Sequence, residues 1–174
     1  MFSSIGDETE RDLWWNIDRD SSQALLSSPN GTVGTLSLDQ DIVRSAYGQS
    51  AAGSWSIHRE GVPPRIAIRR AGSDVTIGVL SLSWAGRGAL TLAGVGDYRL
   101  ATSGWPRKMW RFSKDGRPVV SFTRTLDGIA VTIEDPAEAS GVLSVLCLLG
   151  CYLRSISGRR LCATRRLGRS SLIA

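Results

Sequence analysis

Fifteen consecutive residues, Ala139 to Leu153 (ASGVLSVLCLLGCYL), carry no charge and follow a long stretch of short, turn-punctuated runs. On a 3.6-residue wheel Val142, Leu143, Val145, Leu146, Leu148, Leu149, Tyr152 and Leu153 cover the whole circumference, interrupted only by the small Ser144 and Gly150. A helix that is apolar all round is either a core helix or a membrane span. Fifteen helical residues reach roughly 22 Å before Arg154, whereas a span needs about 20 residues. Length therefore favours a core helix sheathed by the rest of the chain, at about 139–156. The alternative is a tail-type membrane anchor whose Arg154, Arg159 and Arg160 snorkel to a cytoplasmic face.

If the helix is a core, the residues before it must be its container. From Thr32 to Ile133 short alternating runs are separated by Gly, Pro, Asn and Asp. The runs predict strands at Thr32 to Leu38, Ile42 to Tyr47, Ser54 to Arg59, Arg65 to Arg70 and Val75 to Ser83. Further strands follow at Ala89 to Leu92, Tyr98 to Thr102, Met109 to Ser113, Pro118 to Arg124 and Ile129 to Ile133. About ten strands at such spacing read as an antiparallel sandwich or barrel. Asp115-Gly116 and Asp127-Gly128 supply the positive φ of tight hairpin turns, and Asn30-Gly31 reads as a turn before the first of these strands. Trp55, Ile57, Ile66 and Ile68 share one face, leaving Ser56, His58, Arg65 and Arg69 on the other.

The N-terminal segment, residues 1–29, reads differently. Asp7 and Glu10 have capping-box spacing, and Leu13, Trp14, Ile17, Ala24 and Leu25 recur at roughly helical intervals, which predicts an amphipathic helix. The Ser-rich segment Ser21 to Pro29 then reads as a linker. No secretory signal pattern is present at the N-terminus, so a cytoplasmic location, extending to the inner membrane face, is expected.

Charge and chemistry narrow the function. The chain of 174 residues has a net charge of +5, and its basic residues are nearly all Arg. Arg154, Arg159, Arg160, Arg165, Arg166 and Arg169 lie in an acid-free C-terminal segment, whose residues 158–174 read as a flexible tail. Cys147 and Cys151 sit inside the apolar run as small hydrophobes, and with a single His no zinc site is expected. His58 falls on the outward phase of its strand with no G-x-S-x-G elbow to accompany it, so no catalytic constellation emerges. Gly86-Arg87-Gly88 and Gly94-Val95-Gly96 lack the strand-to-helix context of a phosphate loop and read as hairpin turns. Trp84 and Trp105 sit near turns, whereas Trp55 and Trp110 have core phase. No cofactor is implied, and a monomer is expected.

The order of GSWSIHREG, RIAIRRAGSDVTIGVLSLS, YRLATSGWPRKMWRFSKDGRPVVSF and GIAVTIEDP leading into the apolar helix resembles the tubby C-terminal-like superfamily. The resemblance covers roughly Thr32 to Ile156, and its LURP-one-related and phospholipid-scramblase-like members are the most similar. It implies a closed antiparallel barrel of 10–12 strands around one hydrophobic C-terminal helix, the missing strands coming from Gly94 to Arg99 or the N-terminal region. Tubby proteins hold phosphoinositides through cations in an Ile-Gly-Lys-x-Arg pattern; the similar stretch here, Ile77 to Ser81, has Val79 and Ser81 at the cation positions. That site therefore does not carry over. Of the scramblase features only Glu134, Asp135 and Glu138 are present, and they read more simply as acids before a helix N-terminus than as a calcium loop.

The resemblance supports a non-enzymatic domain that adheres to an anionic phospholipid or membrane surface, with a scramblase-like lipid activity left open. Arg154 to Arg169 would supply the attraction, at about 1 kcal/mol per basic residue near an anionic leaflet. A plain protein-interaction or structural module, a tail-anchored membrane protein, and sequence-blind nucleic-acid binding through the Arg tail are the competing readings.

Overall fold

A computed structural model describes residues 2, 5, 12–18, 22–39, 44–83, 86–104, 109–126 and 128–167, excepting the side chains of 17, 18 and 157–167. Twelve strands form one closed antiparallel barrel: β1 (Asp12–Asp18), β2 (Gln23–Ser28), β3 (Gly31–Leu38), β4 (Ser45–Ser50), β5 (Gly53–Glu60), β6 (Arg65–Arg70), β7 (Thr76–Leu82), β8 (Gly88–Leu92), β9 (Gly96–Ser103), β10 (Met109–Lys114), β11 (Arg117–Arg124) and β12 (Ile129–Ile133). Each strand pairs with its neighbours in sequence, and β1 closes the ring on β12 with Leu13 opposite Val131 and Trp15 opposite Ile129. A single helix, α1 (Ser140–Leu167), follows β12.

The alternation read in the sequence sets the faces. Trp55, Ile57, Ile66 and Ile68 are buried, as are Leu80, Leu90, Tyr98, Phe112, Val120 and Phe122 on the following strands. Leu143, Leu146, Cys147, Leu149, Cys151 and Tyr152 have no exposed surface, so the apolar helix is the core and the barrel its sheath. Among the described residues no helix is long and apolar enough to cross a membrane, and the anchor reading of Ala139 to Leu153 gives way to the core reading. The dimensions agree. The longest strands, of eight residues, span roughly 20 Å along the barrel axis at a tilt of about 40°, close to the roughly 21 Å rise of α1 from Ser140 to Arg154.

Packing fixes how the helix enters. Ser144 and Ser50 of β4 share a buried hydrogen bond of 2.9 Å between hydroxyls, which satisfies both inside an otherwise apolar interior. Gly48 of β4 leaves room for Leu148, and Gly150 leaves room for the ring of Phe122. That ring is held in turn by Trp110, stacked at 5.3 Å, and by Phe112, edge-on at 6.2 Å.

Two expectations for the N-terminal segment are corrected. The expected helix around Leu13 to Leu25 is strand β1 with the start of β2, and the expected linker Ser21 to Pro29 is mostly β2. Leu13 and Trp15 are buried and Trp14 is exposed, while Ala24 and Leu26 are buried and Leu25 is exposed. The period is therefore two. The apolar but outward Trp14 and Leu25 produce the false helical spacing, and β1 and β2 supply the two strands that complete the ring.

At the other terminus α1 continues to Leu167, so residues 158–167 of the expected tail carry helical backbone. Residues 168–174 lie outside the described residues. The strand expected at Ile42 to Tyr47 is β4, described from Ser45 to Ser50; Ile42 and Val43 lie outside the described residues. Asp115 and Gly116 form the expected turn with φ of 49° and 79° between β10 and β11. Asp127 lies outside the described residues, and Thr125 to Gly128 make a four-residue turn closed by hydrogen bonds of 3.1 Å in each direction.

Candidate functional site

The strictly sequential topology places alternate connections at opposite ends of the barrel. One end, where α1 begins, carries the β4–β5, β6–β7, β8–β9 and β10–β11 turns and the loop of residues 134–139. The other end, where α1 leaves, carries the β3–β4, β5–β6, β7–β8 and β11–β12 connections. These are the entry and exit ends below.

At the entry end the last inward cation is matched by an acid. Lys114 of β10 approaches Glu138 with Nζ 3.1 Å from Oε2, and the buried Tyr98 hydroxyl donates to the same oxygen at 3.0 Å. The Lys114 ammonium also stands 5.3 Å from the Tyr98 ring centroid. Burial alone would raise the Glu138 carboxyl, but the hydrogen bonds from Lys114 and Tyr98 outweigh it and hold the group below its usual range. Burial, then the Glu138 carboxylate, pushes Tyr98 up to about 12. Glu134 is exposed, and Asp135 accepts a hydrogen bond from the Ala137 amide at 3.1 Å. Of the three loop acids only Glu138 thus meets Lys114 and Tyr98, and among the described residues no group of three or more His, Cys, Asp or Glu is placed to hold a metal ion.

The exit end is built differently. In β5 the inward phase runs Trp55, Ile57, Arg59, and in β11 it runs Val120, Phe122, Arg124, so each apolar row ends in an arginine at the mouth. Arg154 emerges between them as α1 leaves the barrel. Burial, then the positive charge of Arg124, lowers the pKa of Arg154, which places two like charges near each other at the mouth. Arg59 lies close enough to Tyr152 for its charge to oppose the effect of burial, which raises that hydroxyl to about 12. Among the described residues no carboxylate forms an ion pair with Arg59, Arg124 or Arg154, while Glu60 at the same rim is taken by Arg69 at 2.7 Å. Arg44 and Arg65 add exposed cations to this rim, against one further exposed acid, Asp39, which accepts a hydrogen bond from the Ser45 hydroxyl at 3.2 Å.

Of the cations expected to form an anionic-surface site, only Arg154 has a described side chain. Those of Arg159, Arg160, Arg165 and Arg166 lie outside the description, as does Arg169 altogether. The structure places Arg154 on the same mouth as Arg59 and Arg124, with Arg124 the nearer, and the sequence reading passed over both. Their signal was present: an arginine that continues an apolar strand phase points toward the end of the core.

His58 is half-buried on the outer wall, with Ser45 and Ala67 as its cross-strand partners. Cys147 and Cys151 are fully buried; desolvation raises the thiol of Cys147 to about 12 and that of Cys151 further, which keeps both protonated. Val79 and Ser81 lie on the outward phase of β7. Trp84 and Trp105 lie outside the described residues. A shallow depression of about 200 Å³ on the outer wall is lined by Trp14, Trp15, Asn16, Ser27, Thr125, Gly128 and Ile129, beside the β11–β12 turn.

No protein-family model and no curated protein matches this chain. A crystal structure of a protein from Arabidopsis thaliana is similar in fold, with a TM-score of 0.55 at 14% sequence identity. The similarity covers 83% of this chain and 95% of that one.

Proposed function

We propose that this chain is a non-enzymatic, tubby-like domain that attaches reversibly to an anionic phospholipid surface. The observation that carries the reading is the mouth at the exit end. Arg59 and Arg124 end the inward rows of β5 and β11 on opposite sides of that mouth, Arg154 leaves it on α1 near Arg124, and no described carboxylate pairs with any of them. Such an arrangement is costly for a purely structural rim, because like charges raise the energy of the folded state unless an external anion answers them. Guanidinium groups suit phosphate, which they meet with paired, charge-assisted hydrogen bonds. The described site is attached to the barrel, so the attraction does not depend on the segment after Ile156 alone.

The test is sedimentation of the full chain with vesicles of phosphatidylcholine alone and of phosphatidylcholine mixed with phosphatidylserine. We expect pelleting on the mixed vesicles only, and a large loss in an Arg59→Gln/Arg124→Gln/Arg154→Gln variant that keeps the wild-type circular dichroism. Equal pelleting on both lipids would overturn the reading. So would salt-sensitive binding to a duplex oligonucleotide without any binding to vesicles.

A further inference from the structure

Exposed aliphatic residues occur at both ends of the barrel, Val75 and Val95 in turns of the entry end among them, but the two that are fully exposed both lie at the exit end. Val62, in the β5–β6 connection, and Leu126, in the β11–β12 turn, are both fully exposed, each at the tip of a loop on the exit end. The two connections are six strands apart in a ring of twelve, so the tips stand on opposite sides of the mouth with the end of α1 between them. Each tip is flanked in sequence by a mouth arginine: Arg59 and Arg65 bracket Val62, and Arg124 lies two residues before Leu126. Met109, at the exit end of β10, is another exposed apolar side chain on this rim. Trp14 is exposed on the wall beside the Leu126 turn, where it lines the shallow depression with Thr125 and Gly128.

A fully exposed Val or Leu at a loop tip has no packing role in the isolated barrel. Two such tips that project from a basic rim match the chemistry of a bilayer interface. Short apolar side chains pass the headgroup level while cations remain at the phosphates, and an aromatic side chain sits at the boundary. The opposite end does not fit that partner. Asp74, Asp97, Asp115 and Glu134 are exposed there and outnumber the exposed Arg70 and Arg117, so an anionic leaflet would repel that end, and the inward Lys114 is already paired with Glu138.

Resting on the lipid-surface reading above, we infer that the barrel docks end-on to an anionic phospholipid bilayer, with Val62 and Leu126 inserted as two apolar anchors on either side of the arginine-lined mouth. The membrane then lies across the exit end, the axis of α1 stands steeply to it, and the acidic entry end faces away. Electrostatics brings the mouth to the surface and the two tips set the orientation.

The experiment places an environment-sensitive fluorophore on Val62→Cys, on Leu126→Cys and, at the opposite end, on Val75→Cys, each in a full-length Cys162→Ser chain. Cys147 and Cys151 are buried in the core and do not compete for the label. With mixed phosphatidylcholine and phosphatidylserine vesicles, the probes at 62 and 126 should shift to the blue and become shielded from an aqueous quencher. The probe at 75 should do neither. In parallel, unlabelled Val62→Asp and Leu126→Asp chains should each partition roughly tenfold more weakly than wild type, with unchanged thermal melting. Vesicle binding with no shift at 62 or 126, or with an equal shift at 75, overturns the end-on orientation and leaves the lipid-surface reading standing. No vesicle binding by the unlabelled full-length chain overturns both.

Discussion

Glu138 shows how one carboxylate closes the entry end of the barrel. It lies in the loop before α1, and it receives hydrogen bonds from Lys114 of β10 and from the buried hydroxyl of Tyr98 on β9, so it ties three elements together. Its pKa lies below the ordinary 4.5, so its contribution is full above that value and is lost as pH falls through the lower folded value. On the alkaline side Tyr98, raised from 10.0 to about 12, and Lys114, raised above 10.5, hold protons that the unfolded chain releases. That contribution is lost as pH rises above about 10. Replacing Glu138 by Gln should therefore lower the urea midpoint at pH 7, and the gap from wild type should close as pH falls toward 3. An equal gap at pH 3 and pH 7 would mean that the ionised carboxylate is not the stabilising form. Glu134, Asp135 and Glu138 were legible as acids before a helix. That Glu138 alone turns inward was not, because its partners come from strands distant in the chain.

At the scale of the element, the helix and its sheath fit through glycines that no propensity argument selects. Within a helix, Gly to Ala normally adds about 1 kcal/mol. At Gly150 a Cβ would run into the Phe122 ring, which is fixed between Trp110 and Phe112 and has nowhere to turn. Gly150→Ala should therefore destabilise the barrel by about 1–3 kcal/mol in chemical denaturation, against its helix propensity. At Gly48 the nearest atoms are the Leu148 methyl groups, at 2.7 and 2.8 Å, the far end of a side chain that can move. Gly48→Ala should cost less than Gly150→Ala, and the reverse order would show that the aromatic stack yields more readily than the leucine. The ten strands from Gly31 to Ile133 were legible because inward and outward residues alternate cleanly and Gly or Asp marks the turns. β1 and β2 were not, since Trp14 and Leu25 put apolar side chains on the outer wall and the alternation lost its contrast.

For the whole molecule, the sequence shows charge by position along the chain, whereas a barrel sorts charge by end. The acid-free segment after Leu153 was plain in the sequence, yet the arginines that share the mouth with Arg154 end β5 and β11, and only the closed ring places them on one rim. The ends differ in how salt should act on them. Attraction between the mouth arginines and lipid phosphates is screened over about 10 Å at 0.1 M ionic strength, while burial of the exposed Val62 and Leu126 in a bilayer is not screened. Raising sodium chloride should therefore weaken binding to phosphatidylserine-containing vesicles steeply. The dependence should be shallower in Arg59→Gln/Arg124→Gln, which has lost screened contacts. In Val62→Ser/Leu126→Ser the slope should be unchanged and the whole curve displaced to weaker binding, since that variant loses only the unscreened part. Neutralising the far end with Asp97→Asn and Glu134→Gln should leave binding within about twofold, because those groups stand a barrel length, several screening lengths in total, from the phosphates at higher salt. A far-end variant that binds many times more tightly at the same salt would mean that the entry end also meets the membrane, and that the barrel lies on its side.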